Sequence, residues 1–202
     1  MLNLIQHGGV LIVAAGESKR LGRPKQLLKF EGQTFINRLI DIVRASCEMP
    51  ITLVLGAEAE AIQAQLIDTK LNVVLNEDWK EGMGTSIRIG LTKMIQTEPA
   101  LDGVMILVCD QPFVKSEHIQ SLIQLQKDSR LPMAACFYVG IVGTPALFHQ
   151  SMFPALLDLN GEKGAKKILN EAFGLVAKLN FEEGVMDIDT EEDYQKIIQG
   201  EK

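Results

Sequence analysis

Between Ala15 and Lys25 stand Lys19, Arg20, Arg23 and Lys25, opposed only by Glu17, a local charge of +3 in a chain whose formal charge is −6. They belong to the segment Ala14-Ala15-Gly16-Glu17-Ser18-Lys19-Arg20-Leu21-Gly22-Arg23-Pro24-Lys25, which follows an unbroken apolar run, Val10-Leu11-Ile12-Val13-Ala14. Small residues let backbone N–H groups approach an anion, and Lys or Arg then neutralises it. The chemistry that suits such a loop is the binding of a polyphosphate. The alternative is a solvated loop whose charges keep it soluble. No Gly-Lys-Ser/Thr triplet and no Gly-x-Gly-x-x-Gly turn is present, so neither of the two best-known phosphate loops applies.

Two acidic positions complement the loop. Val104-Met105-Ile106-Leu107-Val108 runs into Cys109-Asp110-Gln111-Pro112, placing Asp110 at the carboxyl edge of a strand. Mg²⁺ takes hard oxygen ligands, commonly one or two carboxylates plus substrate phosphates, so Asp110 is a candidate ligand. The competing role is that of a turn former. Further on, Met186-Asp187-Ile188-Asp189-Thr190-Glu191-Glu192-Asp193 offers Asp189 as a second ligand, with Asp187 a weaker one. Asp189 or Thr190 could instead cap the last helix.

A third segment, from Asn76 through Trp79, Gly82, Met83, Gly84, Thr85 and Ser86 to Arg88, also follows an apolar run. Its glycines bring backbone close to a ligand, and Thr85 or Ser86 is expected to cap the next helix. Trp79 reads as a packing anchor. His7, His118 and His149 form no metal-spaced pattern, and Cys47, Cys109 and Cys136 read as reduced thiols rather than a disulfide or zinc framework.

These segments must be held by a scaffold, and the hydrophobic pattern supplies one. Residues 10–14, 51–55, 73–75 and 104–108 read as buried strands, alternating with helical patterns over 34–45, 58–67, 85–95 and 116–127. Beyond residue 131 the order loosens, with strands expected at 133–139, 146–148, 176–179 and 185–188 and short helices at 151–157 and 163–172. A capping box at Thr190–Asp193 opens the last helix. Alternation of this kind implies a three-layer α/β/α, Rossmann-like domain with a mostly parallel sheet, spanning residues 1–202. Ligands then bind beyond the carboxyl ends of the strands at a topological switch point, where these segments lie.

Composition limits the partners. The chain has 202 residues, 47% of them hydrophobic, with 26 acidic against 20 basic. That balance argues against nucleic acid and anionic membranes as partners. No apolar run reaches the roughly 20 residues of a membrane span, and Met1–His7 lacks the basic region of a secretory signal. A cytoplasmic protein is expected.

Taken with these motifs, Ala14-Ala15-Gly16-x-Ser18-x-Arg20-Leu21-Gly22-x-Pro24-Lys25 resembles the signature loop of the MobA-like nucleotidyltransferases. Leu21 stands where that family usually has Met. Ala-Ala-Gly, rather than Ala-Gly-Gly, points to its molybdenum cofactor cytidylyltransferase branch. The resemblance continues through Asn76-x-x-Trp79, Gly82-Met83-Gly84-x-Ser86, Asp110-Gln111-Pro112 and Asp187-Ile188-Asp189-Thr190, reaching from Val10 to about Ile198. It implies the nucleotide-diphospho-sugar transferase fold. It also implies that Ala14, Ala15, Gly16, Ser18, Arg20 and Lys25 surround a triphosphate, with Lys25 and Arg20 acting on the transferring group. Asn76, Gly84 and Ser86 would approach base or ribose, and Asp110 and Asp189 would hold Mg²⁺. Gly143–Phe148 and Gly161–Ala165 resemble the acceptor side, with Thr144 where some relatives have His.

The implied reaction moves CMP from CTP to the terminal phosphate of molybdopterin cofactor, releasing pyrophosphate, with a molybdoenzyme as possible recipient of the product. A guanylyltransferase or another small-molecule nucleotidyltransferase is the nearest alternative. A non-catalytic cofactor-delivery protein is a third, although it would not need both the basic loop and Asp110.

Overall fold

The computed structural model describes residues 2–200. Its centre is β1 (Gly8–Ala14), whose side chains alternate between two cores. Val10, Ile12 and Ala14 enter one; Leu11 and Val13 enter the other. A strand apolar on both faces must be covered on both, and this one is flanked in parallel by β4 (Ile51–Leu55) and β6 (Gly103–Val108). The sheet has seven strands, in the order β5 (Asn72–Leu75), β4, β1, β6, β8 (Ile141–His149), β7 (Met133–Tyr138) and β9 (Val176–Asn180). Only β8 runs against its neighbours. A short ribbon of β2 (Lys29–Phe30) and β3 (Gln33–Thr34) lies apart.

Helices α1 (Phe35–Ser46), α2 (Ala59–Gln63) and α4 (Ser116–Ser129) bury Ile36, Leu39, Ile40, Val43, Ile62, Ile119 and Leu122 against one face. Helices α3 (Met83–Thr97), α5 (Phe153–Leu157) and α6 (Ala165–Glu171) cover the other with Ile87, Leu91, Met94, Phe153, Leu156, Ile168 and Leu169. A third cluster joins Leu21 and Leu28 of the basic loop and its exit to Phe35, Ile188 and Ile197, the last from α7 (Glu191–Ile198). That cluster ties the front of the chain to its end.

The sequence pattern departs from the structure in four places. Residues 185–188 are not a strand: a 3₁₀ turn, Glu182–Val185, precedes an irregular extended stretch. Helix α2 stops at Gln63 because the following backbone is captured by the buried Asn37, whose amide donates to the Gln65 carbonyl and accepts from Ile67 N–H. Helix α3 begins two residues early, with Gly82 at the N-cap (φ 114°), so neither Thr85 nor Ser86 caps it; the Thr85 hydroxyl donates to the Gly82 carbonyl instead. Strand β8 extends to both sides of 146–148, and its hairpin with β7 turns through Val139 (φ 47°) and Gly140 (φ 76°). Thr190 does cap α7: its hydroxyl accepts from Asp193 N–H while the Asp193 carboxylate accepts from Thr190 N–H.

Strand order reverses at β1, since β4 and β5 lie to one side and β6 to the other. Open parallel sheets split apart at such a point and leave a crevice at their carboxyl ends.

Candidate active site

A cleft of about 480 Å³ occupies that crevice. Its floor is Val13–Gly16 at the end of β1 and Val108–Asp110 at the end of β6. Its walls are Ser18, Arg20, Lys25 and Gln26 on one side and Trp79, Gly82, Met83 and Ser86 on the other.

The loop after β1 is shaped by its own polar groups. Ser18 has φ 56°, its carbonyl accepts from Leu21 and Gly22 N–H, and its hydroxyl accepts from Lys25 N–H at 3.2 Å. Gln26, 2% exposed, donates its amide to the Ala14 carbonyl at 2.7 Å and to the Gly16 carbonyl at 3.2 Å. The carbonyls of the strand–loop junction are thus occupied within the protein. A Cβ built on Gly16 would meet nothing within 4 Å, so the protein's own packing does not require glycine there. The open side of Gly16 suits close approach of a ligand to backbone.

Lys25 is the charge centre of the cleft. Its ammonium lies 3.1 Å from Asp110 Oδ2 and 3.0 Å from Asp189 Oδ1, and its side chain is only 15% exposed. Asp110 arrives from β6. Asp189, distant in sequence, arrives because Ile188 is fully buried and its N–H donates to the Asp110 carbonyl at 3.1 Å. With Thr190 serving as cap, the Asp189 carboxylate is left for Lys25 and for Arg20, which meets Asp189 Oδ2 at 2.6 Å. Burial opposes the Lys25 charge, but Asp110 and Asp189 outweigh it and hold its pKa above the ordinary lysine value. Asp189 is also desolvated, yet Lys25 and Arg20 keep its carboxyl below the usual range. The remaining loop cations are paired as well, Lys19 with Glu17 and Arg23 with Glu191. The loop's +3 is therefore neutralised by carboxylates from β6 and from the start of α7.

A second, smaller cavity of about 150 Å³ shares Met83, Val108 and Asp110 with the cleft. It is lined further by Gln111, Tyr138, Gly143, Thr144, Lys166 and Asp187. Gln111 braces it, donating to the Gly184 carbonyl at 3.0 Å and accepting from the Thr144 hydroxyl at 3.2 Å. Asp187 keeps an exposed edge. Desolvation by the protein around it, then Asp110 and Asp189, raise its carboxyl to about 7. Burial, with Asp187 nearby, pushes the Tyr138 phenol up to about 12.

Residues 10–176 match the model of the MobA-like NTP transferase domain. The chain belongs to that family. Nicotine blue oxidoreductase of Paenarthrobacter nicotinovorans is 28% identical over 94% of this chain and 95% of its own length. Purine catabolism protein PucB of Bacillus subtilis is 25% identical over 93% and 94%. The crystal structure of Rv0371c from Mycobacterium tuberculosis superposes with a TM-score of 0.83 at 30% identity, covering 98% and 99% of the two chains; the same protein has been solved in complex with manganese. CMP:2-keto-3-deoxy-manno-octonic acid synthetase, solved with CTP, shares the fold alone (TM-score 0.70, 13% identity). The Rossmann-like sheet expected from the sequence is therefore that of the nucleotide-diphospho-sugar transferases.

Within this family member, Ala14, Ala15, Gly16, Ser18, Arg20, Lys25, Ser86, Asp110 and Asp189 all line the one cleft. Asn76 and Gly84 do not. Asn76 is completely buried, donating to the Thr85 and Ser86 hydroxyls at 3.1 and 2.9 Å while accepting from Asp78 N–H. Gly84 is required by packing, since a Cβ there would come within 2.9 Å of the Asn160 backbone. These two residues shape the wall from behind it. Gln26 is a cleft residue without a motif of its own; its signal in the sequence is an amide beside Lys25, ahead of the apolar pair Leu27-Leu28. Trp79, read as an anchor, both packs beside the core and lines the cleft.

The donor set fits a hard divalent cation. Two carboxylates converge on one cationic point, all donors are oxygens, and no third acidic, His or Cys ligand joins them among the described residues. Magnesium sites of this kind are completed by substrate phosphate and water.

Proposed function

We propose that this protein transfers CMP from CTP to the terminal phosphate of molybdopterin cofactor, releasing pyrophosphate, with Mg²⁺ held by Asp110 and Asp189. The observation that carries the reading is the meeting of Lys25, Asp110 and Asp189 in a cleft floored by the Gly16 loop. Family membership supports nucleotidyl transfer. The Ala14-Ala15-Gly16 start of the loop favours the cytidylyl branch.

In this mechanism an acceptor phosphate oxygen attacks the α-phosphorus of CTP. The bond from that phosphorus to the α–β bridging oxygen breaks, and pyrophosphate leaves. A phosphate oxygen is already ionised, so no Ser, Cys or His nucleophile is needed. The residues contribute alignment and charge neutralisation. Backbone N–H groups around Gly16 hold the β and γ phosphates. Lys25, with Arg20 beside it, stabilises charge on the transferring group and the departing oxygen. Ser86 and the wall formed by Gly82 and Met83 face base and ribose, positioned by Asn76 and Gly84 from behind. The bound metal would supply Lewis-acid polarisation of the phosphate oxygens. The smaller cavity, lined by Gln111, Thr144, Lys166 and Asp187, receives the phosphate-bearing end of the acceptor and opens beside Asp110.

Pyrophosphate release from CTP, molybdopterin cofactor and Mg²⁺ tests the reading, with GTP as the comparison. CTP-dependent release that Asp110→Ala abolishes, without loss of the folded state, is the expected outcome. Release with GTP but not CTP would move the protein to the guanylyl branch. Absence of release with either nucleotide, despite cofactor binding, would favour a delivery protein.

A further inference from the structure

Lys25 stands between the two carboxylates taken above as metal ligands. Its ammonium touches Asp110 Oδ2 and Asp189 Oδ1 at 3.1 and 3.0 Å, one contact to each. The other oxygen of Asp189 is taken by Arg20, so Oδ1 is the one that Lys25 withholds. We propose that Lys25 is a resident stand-in cation, which must leave Asp110 and Asp189 before a divalent metal can bridge them, and which the nucleotide triphosphate draws away. This rests on the functional reading above, in that it takes the same two carboxylates as ligands.

Space, charge and tether all favour this exchange. A metal–oxygen bond to Mg²⁺ is about 2.0–2.1 Å, so a metal held by the oxygens that the ammonium contacts would lie within about 5 Å of it and compete for them. Two cations at that separation repel strongly in a partly desolvated site. Lysine resolves the conflict because its charge sits on a flexible four-carbon stem. The Lys25 backbone is fixed by Ser18 and by the 3₁₀ turn Lys25–Leu27, so the head can move while its root stays at the mouth of the Gly16 loop. The loop cations are each paired with carboxylates of this chain. The nucleotide-free cleft is accordingly self-neutralised, with little net charge to recruit either partner alone. A triphosphate offers Lys25 new anionic oxygens and frees the two carboxylates for the metal at the same time. Metal and nucleotide thus bind with positive coupling.

Mn²⁺ titrations of the nucleotide-free protein, followed by loss of the free-ion EPR signal, test this. Wild type should bind weakly. Lys25→Met should bind about tenfold more tightly, the change expected when two carboxylates are each released from a charge-assisted hydrogen bond. Lys25→Arg, which keeps the cation, should stay near wild type. Thermal melts add a second readout: Mn²⁺ should raise the Tm of Lys25→Met more than that of wild type, which also verifies that the variant folds. Equal or weaker Mn²⁺ binding by a folded Lys25→Met would overturn the proposal while leaving the nucleotidyltransferase reading untouched. Failure of Mn²⁺ to bind wild type and variant alike, even with CTP present, would overturn the ligand assignment and this proposal together.

Discussion

Glycine at position 16 has no structural reason inside the protein, whereas glycine at 84 has one, and the two can be separated by experiment. A methyl group on Gly16 would meet no atom of the protein within 4 Å. Gly16→Ala should leave the midpoint of urea unfolding within about 0.5 kcal/mol of wild type while raising the KM for CTP several-fold. Gly84→Ala presses a methyl group on the Asn160 backbone and should cost about 1–3 kcal/mol of stability. The pH behaviour of the charge centre follows from its shifts. Asp189 is held below its ordinary value, so its contribution is present above about pH 4 and is lost as acid protonates it. Lys25 is held above its ordinary value, so its share is present until strongly alkaline pH. Without nucleotide or metal, the Tm difference between wild type and Asp189→Asn should be level in mildly alkaline solution, widen slightly as pH falls through about 7, where protonation of Asp187 relieves its repulsion with Asp189, and shrink below about pH 4. Lys25 and Asp110 were legible as candidate charges because one stands in a glycine-containing loop and the other directly after an apolar strand, whereas Asp189, after an irregular stretch, read also as a helix cap. Asn76 was not legible, since an amide after a strand looks the same whether it meets a ligand or the hydroxyls of Thr85 and Ser86.

Among the elements, the start of α7 decides where Asp189 stands. Thr190 and Asp193 close the capping box, Asp193 also accepts from Asp189 N–H, and Glu191 pairs with Arg23 of the loop. Thr190→Ala should cost about 1 kcal/mol in chemical denaturation. It should also lower the rate of pyrophosphate release, because the backbone that aims Asp189 loosens. The box was readable from four residues, being a local code. The strand expected over 185–188 is not formed, although Val185, Met186 and Ile188 make the segment as apolar as a short strand. In the fold, Ile188 N–H pairs with the Asp110 carbonyl and Val185 remains half exposed, so the stretch serves as a strut between two acidic residues. Early strands and their helices matched the pattern well, because each buries a continuous apolar face on one of the two cores.

For the whole molecule, a net charge of −6 concealed the design of the cleft. The +3 loop seen in sequence meets its counter-charges only after folding, when Asp110, Asp189 and Glu191 arrive from far along the chain. Long-range pairing of this kind leaves no periodicity to read. The cysteines give a global check on packing. Cys109 and Cys136 are buried, with the Cys136 thiol pushed up to about 12, whereas Cys47 is half-buried. Cys47 lies with Gly8 around a cavity at the amino end of β1, away from the cleft. An aromatic disulfide reagent should therefore modify one thiol in the native protein and three after denaturation, with CTP leaving the native rate unchanged. No helix of the described residues is long and apolar enough to cross a membrane. The family includes a relative named as an oxidoreductase, so the reaction must be read from the site, where a lysine joined to two carboxylates beside an open glycine loop favours phosphoryl chemistry. A crystal structure with CTP and Mn²⁺ tests that claim most directly. An anomalous peak between Asp110 and Asp189, the triphosphate along the Gly16 backbone, and Lys25 moved onto phosphate are the expected result. A nucleotide bound outside this cleft, or a triphosphate in it with Lys25 still bridging both carboxylates and no metal, would contradict it.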